Sequence, residues 1–192
     1  MEPVVLRTAR LELSIPVDAD VDAIHAACQD PDVQRYTTVP QPYERTHAVG
    51  FVAKAAEWWA DGSNANWAIR EAGTFAGMIG MNRLGGGNGE IGYWLAPHAR
   101  GRGFLHEAAV AVLDWSFSDA GPNLSRVEWR AVAGNLPSAR SARALGLRFE
   151  GTLRASLVNG GGVRSDGWIA AILPDDDRTP VPWPVLDDVL AG

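Results

Sequence analysis

One stretch near the middle of the chain restricts the possible folds more than any other. Residues 90–96 alternate as a strand, a short loop with Gly101 and Gly103 follows, and residues 104–120 take up the period of a helix. A second strand is predicted at residues 126–133. The order strand, helix, strand predicts a βαβ unit, in which the two strands are parallel and the crossover is right-handed.

The flanking patterns predict two helices before this unit, an antiparallel meander that leads into it, and a helix and a hairpin after it. The helices are expected from a cap at Asp18 or Asp20 to residue 30, at 43–60 and at 138–145, and the strands at 10–14, 66–71, 74–81 and on both sides of the turn 159–162. The expected fold class is α/β (α+β), with a mixed, mostly antiparallel sheet flanked by about four helices.

Length and composition favour one domain. The 192 residues, 46% of them hydrophobic, suffice for one sizeable core without disulfides. We expect a single domain over residues 1–174 and a tail over residues 175–192, where prolines and aspartates replace periodic patterning. The single cysteine, Cys28, cannot form an internal disulfide and has no Cys or His neighbours at metal-ligand spacing. We therefore expect a cytoplasmic protein without a metal site.

Charge and hydropathy disfavour several classes of partner. The sequence begins without the basic and apolar segments of a signal peptide, and no stretch approaches the roughly 18 apolar residues of a membrane span. With 23 acidic against 17 basic residues, the net charge is −6, which disfavours binding to nucleic acid or to anionic membranes. We therefore expect neither a nucleic-acid partner nor a membrane partner.

The loop between the predicted strand and helix has the features of an anion site. Gly101 and Gly103 allow a tight turn, and the first helical amides together with the helix dipole would hold a pyrophosphate without a metal. Arg100 and Arg102 add positive charge to this loop.

Other phosphate-binding motifs do not match this loop. The dinucleotide-binding fingerprint is excluded because His106 stands where its third glycine belongs, and a Walker loop is excluded because the sequence Gly-Lys-Ser/Thr is absent. The acidic net charge disfavours an arginine-glycine patch for nucleic acid. If the loop is considered alone, a strand-to-helix turn that contains glycine but binds no ligand is as good an explanation as an anion site.

Two blocks of the sequence resemble the GNAT family of N-acetyltransferases. The first is Gly92-Tyr93-Trp94-Leu95 followed by Arg100-Gly101-Arg102-Gly103, which is similar to the acyl-CoA motif of that family, with Leu105 in place of its final small residue. The second is Asn135-Leu136-Pro137-Ser138 followed by Glu150-Gly151-Thr152-Leu153-Arg154, which is similar to the branch that acetylates ribosomal-protein N-termini. The resemblance covers residues 7–174. It implies a sheet that splays at the cofactor strand, and acetyl-CoA as the co-substrate.

The resemblance also implies how acetyl-CoA is held. Amides from Gly101 to Leu105 would bind the pyrophosphate, and backbone groups in the gap between the splayed strands would bond pantetheine. The amide of Leu95 would stabilise the oxyanion. Asn135 would contact the pantetheine arm, cap the next helix, or do both. The expected cofactor-binding residues are Trp94, Leu95, Ala96, Arg100, Gly101, Arg102, Gly103, Phe104, Leu105, Asn135 and Ser138.

Transfer to an amine also needs an acid for the leaving thiolate and a base for the ammonium group. Many relatives use a tyrosine as the acid, but Ala142 stands at that position, and the ribosomal-protein branch implies Ser138 instead. The alternative for Ser138 is a first-turn hydroxyl that satisfies backbone amides. Glu90 is the expected base, or else a solvated carboxylate at a strand end. The second carboxylate of some relatives is replaced here by Leu157.

The expected activity is direct transfer of an acetyl group from acetyl-CoA to a primary amine in a ternary complex. The acceptor is either a protein N-terminal amine or a small amine, and a homodimer is expected because dimers are common among the relatives. The alternative is a non-catalytic acyl-CoA-binding or interaction module. Ala142 and Leu157 favour that module, whereas the retained pair of Asn135 and Ser138 favours the enzyme.

Overall fold

The computed structural model describes residues 1–187, which form one open sheet and six α-helices. The strands are β1 (Leu6–Arg7), β2 (Leu11–Ser14), β3 (Ala65–Glu71), β4 (Thr74–Gly85), β5 (Asn88–Leu95), β6 (Arg126–Val132), β7 (Arg148–Val158) and β8 (Arg164–Ile172). The helices are α1 (Val21–Ala27), α2 (Pro31–Tyr36), α3 (Arg45–Asp61), α4 (Phe104–Phe117), α5 (Leu136–Ala144) and α6 (Pro184–Asp187). None of these helices is long and apolar enough to cross a membrane.

The strand order β1-β2-β3-β4-β5-β6-β8-β7 confirms the predicted mixed, mostly antiparallel sheet. Neighbouring strands are antiparallel except β5 and β6, which are parallel because α4 carries the chain back across the sheet. These two strands pair only where they begin, residues 88–90 with residues 126–128, and then part. The predicted βαβ unit and its splayed strand pair are therefore confirmed.

Strand alternation divides the core into two layers, one on each face of the sheet. Trp67 and Ile79 belong to the layer that includes the buried face of α4. Their sequence neighbours Ala68 and Met78 belong to the layer that α1 and α3 cover. Because successive side chains of a strand point to opposite faces, β3 and β4 serve both layers. Each large side chain that is fully buried stabilises the fold by about 1.5–3 kcal/mol.

The first predicted helix ends before residue 30, and a further helix that was not predicted begins at the next proline. The helix α1 ends at Ala27, and α2 begins at Pro31. The residue before a proline is driven to extended backbone, and Asp30 has φ −61° and ψ 129°. The Asp30 side chain then caps α2 by accepting hydrogen bonds from the amides of Asp32 and Val33, each at 3.1 Å. With α2 and the short α6, the described residues contain six α-helices, where the sequence predicts about four.

The segment after residue 174 packs back onto the sheet. Trp183 is fully buried, and its indole N–H donates to the main-chain oxygen of Leu147 at 3.1 Å. Its ring lies 5.7 Å from Trp129 and 5.5 Å from Phe149, measured between ring centroids. The domain boundary at residue 174 stays a prediction, and the last five residues of the predicted tail lie outside the described part of the chain.

Candidate functional site

The parting of β5 and β6 opens a gap in the sheet, and the backbone of Leu95 faces this gap. The amide of Ala96 donates to the main-chain oxygen of Ala76 at 2.9 Å, so residue 96 directs its backbone groups toward β4. Backbone groups of successive strand residues point to opposite sides, and Leu95 therefore directs its amide away from β4. An amide fixed in this way is a preorganised donor for an oxygen that becomes negative during a reaction.

The loop after β5 turns at two glycines. Gly101 and Gly103 have φ of 73° and 78°, in the left-handed region that favours glycine. Gly103 is the N-cap of α4, so the amides of Phe104, Leu105 and His106 have no carbonyl within the helix to bond. Together with the dipole of this 14-residue helix, these amides form a site suited to an anion.

The two arginines of this loop are paired with carboxylates. Arg100 contacts Asp30 at 2.8 Å and donates through Nε to the main-chain oxygen of Leu95 at 3.2 Å. The hydrogen bond from Arg100 lowers the pKa of Asp30, so this carboxylate stays ionised. Arg102 pairs with Glu71 at 2.7 Å. Both charges are thus balanced locally. The arginines fix the shape of the loop, and the helix amides supply the potential for an anion.

Ser138 lies in the first turn of α5, with its hydroxyl held between two aromatic side chains. The indole N–H of Trp129 on β6 donates to Ser138 Oγ at 3.1 Å, and Oγ donates to the phenol oxygen of Tyr93 on β5 at 3.4 Å. The Tyr93 hydroxyl donates to the main-chain oxygen of Ser138 at 3.1 Å. Burial raises the pKa of Tyr93, so its phenol stays protonated. The Ser138 hydroxyl therefore bonds side chains from both splayed strands. The alternative prediction, in which this hydroxyl accepts hydrogen bonds from backbone amides of the first helical turn, is not what the structure shows.

Asn135 is the N-cap of α5. Its Oδ1 accepts a hydrogen bond from the amide of Ser138 at 3.3 Å, and the residue also lines the cleft described below. An amide side chain has donors as well as an acceptor, so the cap leaves Nδ2 able to bond a ligand. The contact of Asn135 with pantetheine stays a prediction.

Glu90 is a mostly buried carboxylate in the first half of β5, with 22% of its side chain exposed. Arg83 Nη1 lies 3.1 Å and Arg130 Nε 3.8 Å from its Oε2, yet Oε2 accepts no hydrogen bond from any described residue, so these contacts are ionic only. Burial raises the pKa of Glu90; the two arginines oppose this rise, and nearby Glu128 adds to it. A partly exposed carboxylate with a raised pKa accepts a proton more readily than an ordinary carboxylate, which suits a general base.

A cleft of about 1280 Å³ joins these groups. Ten of the predicted site residues line it: Glu90, Trp94, Leu95, Arg100, Gly101, Gly103, Phe104, Leu105, Asn135 and Ser138. Ala96, which is buried, and Arg102, which turns toward Glu71, do not line it. The roles of all these residues stay predictions. Within residues 1–187, no group of three or more His, Cys, Asp or Glu side chains is placed to hold a metal ion.

Another wall of the cleft forms where the β7–β8 turn meets the segment between α2 and α3. The amide of Gly160 donates to the main-chain oxygen of Thr37 at 3.4 Å, and Asn159 Nδ2 donates to that of Arg35 at 3.5 Å. A methyl group on Gly160 would lie 1.7 Å from the main-chain oxygen of Val39. Only glycine permits this approach of two backbones, so the residue fixes the position of the wall.

Tyr93 and Asn66 are polar groups of the cleft that sequence reasoning missed. Tyr93 lies in a strand between apolar residues, and its partner Ser138 is 45 positions away, so nothing local indicates the contact. Asn66 lies in the apolar run of β3, between Ala65 and Trp67. A lone amide in a strand whose neighbours are buried is the signal that could have identified it, because such a group is costly to bury without a partner.

Comparison with known protein families agrees with this geometry. The family model described as an acetyltransferase (GNAT) domain matches residues 10–148. One relative, the uncharacterized N-acetyltransferase p20 of Bacillus licheniformis, is 29% identical over 153 residues, which cover 78% of this chain and 85% of that protein.

Two solved structures share the fold. RimL, a ribosomal alpha-N-protein acetyltransferase in complex with coenzyme A, superposes with a TM-score of 0.80 at 20% identity, covering 91% of this chain and 100% of that chain. The microcin self-immunity acetyltransferase MccE, in complex with acetyl-CoA and AMP, has a TM-score of 0.76 at 18% identity, covering 86% of this chain and 93% of that chain. Similarity at these identities shows the fold alone.

Proposed function

The chain belongs to the GNAT family of acetyltransferases, and from this premise we propose that it transfers an acetyl group from acetyl-CoA to a primary amine. The observation that carries the proposal is the gap between β5 and β6. The amide of Leu95 on β5 faces this gap, and a glycine turn and the first amides of α4 follow β5 in the chain. The hydroxyl of Ser138 on α5 bonds one side chain from each of the two strands. The amine attacks the thioester directly within one complex of enzyme and both substrates.

The gap and the glycine turn fit the parts of acetyl-CoA. Backbone groups that face the gap can bond the extended pantetheine arm as a further strand would, and the amides of residues 101–105 can receive the pyrophosphate. Space is available at the turn, because a methyl group on Gly101 would meet no atom within 4 Å. The neighbouring folds of RimL and MccE, solved with coenzyme A and acetyl-CoA, support the same assignment.

The reaction requires stabilisation of one charge and movement of protons at the nitrogen and at the sulfur. As the carbon–nitrogen bond forms, the carbonyl oxygen becomes negative, and the Leu95 amide donates to it. As the carbon–sulfur bond breaks, Ser138 supplies a proton to the leaving thiolate and takes up the second proton of the attacking nitrogen, so the serine ends as a hydroxyl. Trp129 and Tyr93 hold the Ser138 hydroxyl between the strands, so its position is set before the substrate arrives. The products are an N-acetyl amide and the free thiol of coenzyme A.

Glu90 takes the proton that the ammonium group of the acceptor must lose. Its raised pKa is in the direction that this task requires, and Glu90 lines the cleft with part of its side chain exposed. The arginines on either side keep the carboxylate in place while the proton is transferred. The acceptor therefore binds in the cleft on the face of β5 that carries Glu90.

No acyl-enzyme is needed for this transfer. Cys28 is buried, its side chain does not line the cleft, and burial raises its pKa to about 11, so it is a thiol and not a thiolate at neutral pH. Transfer through this cysteine is therefore disfavoured, in agreement with direct attack by the amine.

The experiment that tests the proposal is thiol release from acetyl-CoA against a panel of amines. The panel contains peptides with varied first residues, amino acids, polyamines and aminoglycosides, and Cys28 is counted as a fixed background thiol. We expect release with either the peptide or the small-amine class, together with an acceptor whose mass has grown by one acetyl group. Binding of acetyl-CoA without release for any amine would favour the non-catalytic module. A homodimer and a cytoplasmic location stay predictions.

A further inference from the structure

One arginine of the cleft lacks the carboxylate partner that the others have. Within residues 1–187, four arginines line the cleft, and a carboxylate lies 3.1 Å from Arg83, 2.8 Å from Arg100 and 2.9 Å from Arg130. The fourth is Arg140 on α5, which is exposed and has no hydrogen bond or ion pair with any residue in the described chain. A guanidinium presents five N–H donors in a planar fork that matches a phosphate. The donors of Arg140 are therefore open to an anionic ligand of the cleft.

Arg140 belongs to the face of α5 that borders the cleft. The residues of this face recur at the spacing i, i+3, i+4 and i+7 of one side of a helix: Pro137, Arg140, Ser141 and Ala144. On the opposite face, Ala139 and Ala142 are fully buried in the core. The Ser141 hydroxyl donates to the main-chain oxygen of Pro137 at 3.0 Å, so it is already satisfied. Arg140 is thus the long polar side chain on an otherwise low surface.

The cleft extends over the beginnings of two neighbouring helices. Both α4 and α5 follow a strand of the parallel pair β5 and β6, so both begin at the same end of the sheet. The two helices pack against each other, which places their axes about 8–10 Å apart. Leu105 and His106 in the first turn of α4 line the same cleft as Ser138 in the first turn of α5. Arg140 is five residues from the N-cap of α5, or about 7.5 Å along the helix axis.

We propose that Arg140 binds the 3′-phosphate of acetyl-CoA, and that this contact selects the coenzyme A thioester over acetyl donors that lack this phosphate. The inference rests on the proposed function and adds to it the chemical class of the donor. With pantetheine in the gap and the pyrophosphate at the start of α4, the adenosine lies outside the gap, beside the exposed surface of both helices. Its 3′-phosphate carries about two negative charges at neutral pH and calls for a cation there.

The groups already assigned to acetyl-CoA cannot make this selection. The Leu95 amide, the glycine turn and the first amides of α4 would meet the acetyl, pantetheine and pyrophosphate parts, which acetyl-3′-dephospho-CoA shares. Lys54 also lines the cleft without a carboxylate partner in the described chain, but it lies on α3, which covers the opposite face of the sheet from α4. Arg140 is the unpaired cation on the side where the adenosine would lie.

The test compares acetyl-CoA with acetyl-3′-dephospho-CoA, which differs from it only in this phosphate. Arg140→Gln removes the charge and keeps a polar side chain. Arg154→Gln is the matched control, because Arg154 is also exposed and also has no partner in the described chain, but it does not line the cleft. The Kd of both donors is measured by isothermal titration, kcat is measured with one acceptor at saturating donor, and the free energy of unfolding is measured in urea.

We expect the wild-type protein to bind acetyl-CoA about tenfold more tightly than acetyl-3′-dephospho-CoA. Arg140→Gln is expected to raise the Kd of acetyl-CoA about tenfold and to change the Kd of the dephospho form less than twofold, so that the two donors bind alike. The value of kcat and the free energy of unfolding are expected to stay as in the wild type, because Arg140 is exposed and touches no reacting atom. Arg154→Gln is expected to keep the tenfold preference.

A wild-type protein that binds both donors equally would overturn the inference. It would also be overturned if Arg140→Gln weakened both donors by the same factor, or if this variant kept the tenfold preference, since the phosphate would then be bound elsewhere. Arg140→Lys retains the positive charge and is expected to keep part of the preference, and complete loss in this variant together with a lower free energy of unfolding would assign Arg140 a structural role. In each of these outcomes acetyl-CoA is still bound and used. A protein that binds neither donor would contradict the proposed function itself, and the inference with it.

Discussion

The anion site at the start of α4 predicts a difference between two glycines that are otherwise alike. Gly101 in the loop and Gly62 at the end of α3 have φ of 73° and 76°, and a methyl group on either would meet no atom within 4 Å. Alanine at either position is therefore expected to destabilise the fold by the same amount, about 1–2 kcal/mol, because its backbone must adopt the left-handed region. Only Gly101 lines the cleft.

Because Gly101 and Gly62 have similar backbone angles and surroundings, the two variants should lose similar stability and differ only in the Kd of acetyl-CoA. Gly101→Ala and Gly62→Ala are each expected to lower the free energy of unfolding by about 1–2 kcal/mol. If the Gly101 loop holds the pyrophosphate, the added methyl group displaces the phosphate oxygens from one or two charged hydrogen bonds, each of which contributes about 1.5–3 kcal/mol. The Kd of acetyl-CoA is then expected to rise at least roughly tenfold for Gly101→Ala.

The measurements are isothermal titration with acetyl-CoA and urea unfolding of the wild-type protein and both variants. Gly62→Ala is expected to bind acetyl-CoA with the wild-type Kd despite its lower stability. The reasoning would be refuted if Gly101→Ala bound acetyl-CoA as the wild type does. It would also be refuted if the two variants lost affinity equally, because the loss would then come from general destabilisation.

Three further predictions concern the reacting groups and the wall of the cleft. Ser138→Ala is expected to lower kcat about 100-fold with little change in the Kd of acetyl-CoA, and steady-state rates showing an unchanged kcat would remove Ser138 from the mechanism. Glu90→Gln is expected to lower kcat/KM about 100-fold at neutral pH and to leave only the rise of the rate with pH that follows deprotonation of the acceptor amine itself. Because burial raises the pKa of Glu90 above its ordinary 4.5, the folded protein binds this proton more tightly than the unfolded chain. Wild-type stability relative to Glu90→Gln is therefore expected to fall as the pH rises above about 4.5, and urea unfolding at several pH values showing the opposite trend would contradict the assignment. Gly160→Ala must move the β7–β8 turn away from Val39, so it is expected to raise the acceptor KM several-fold. Gly162→Ala is strained at its φ of 81° but meets no atom within 4 Å, so it is expected to lower the free energy of unfolding and to leave the acceptor KM unchanged. Equal acceptor KM values for these two variants would show that the wall does not shape the acceptor site.

The sheet could be predicted because its signals are local. Side-chain alternation, glycine turns and one strand–helix–strand order suffice to predict a mostly antiparallel sheet with a single parallel pair. The separate helix α2 was not predicted, although Asp30 as a cap and Pro31 as a first helical residue are a local signal for its start. The burial of Trp183 had no local signal, since its partners Trp129 and Phe149 are distant in sequence.

The site could be predicted in part for the same reason. The glycine turn and the cap residue Asn135 belong to short motifs, and the structure brings both to one cleft. The environment of the Ser138 hydroxyl depends on Trp129 and Tyr93, which come from two strands that only the tertiary fold places side by side. The position of Asn66 in the cleft likewise depends on the strand register, which places Gly80 of β4 and Gly92 of β5 in line with it.

The central claim is that the acetyl group moves directly from acetyl-CoA to an amine in the cleft. The most direct test is incubation of the protein with acetyl-CoA labelled in its acetyl group and one acceptor from the panel, followed by mass spectrometry of acceptor and protein. We predict label on the acceptor nitrogen, one equivalent of free coenzyme A thiol for each acceptor modified, and none on the protein chain. Label on the chain that then passes to the acceptor, or thiol release without any labelled acceptor, would contradict the account.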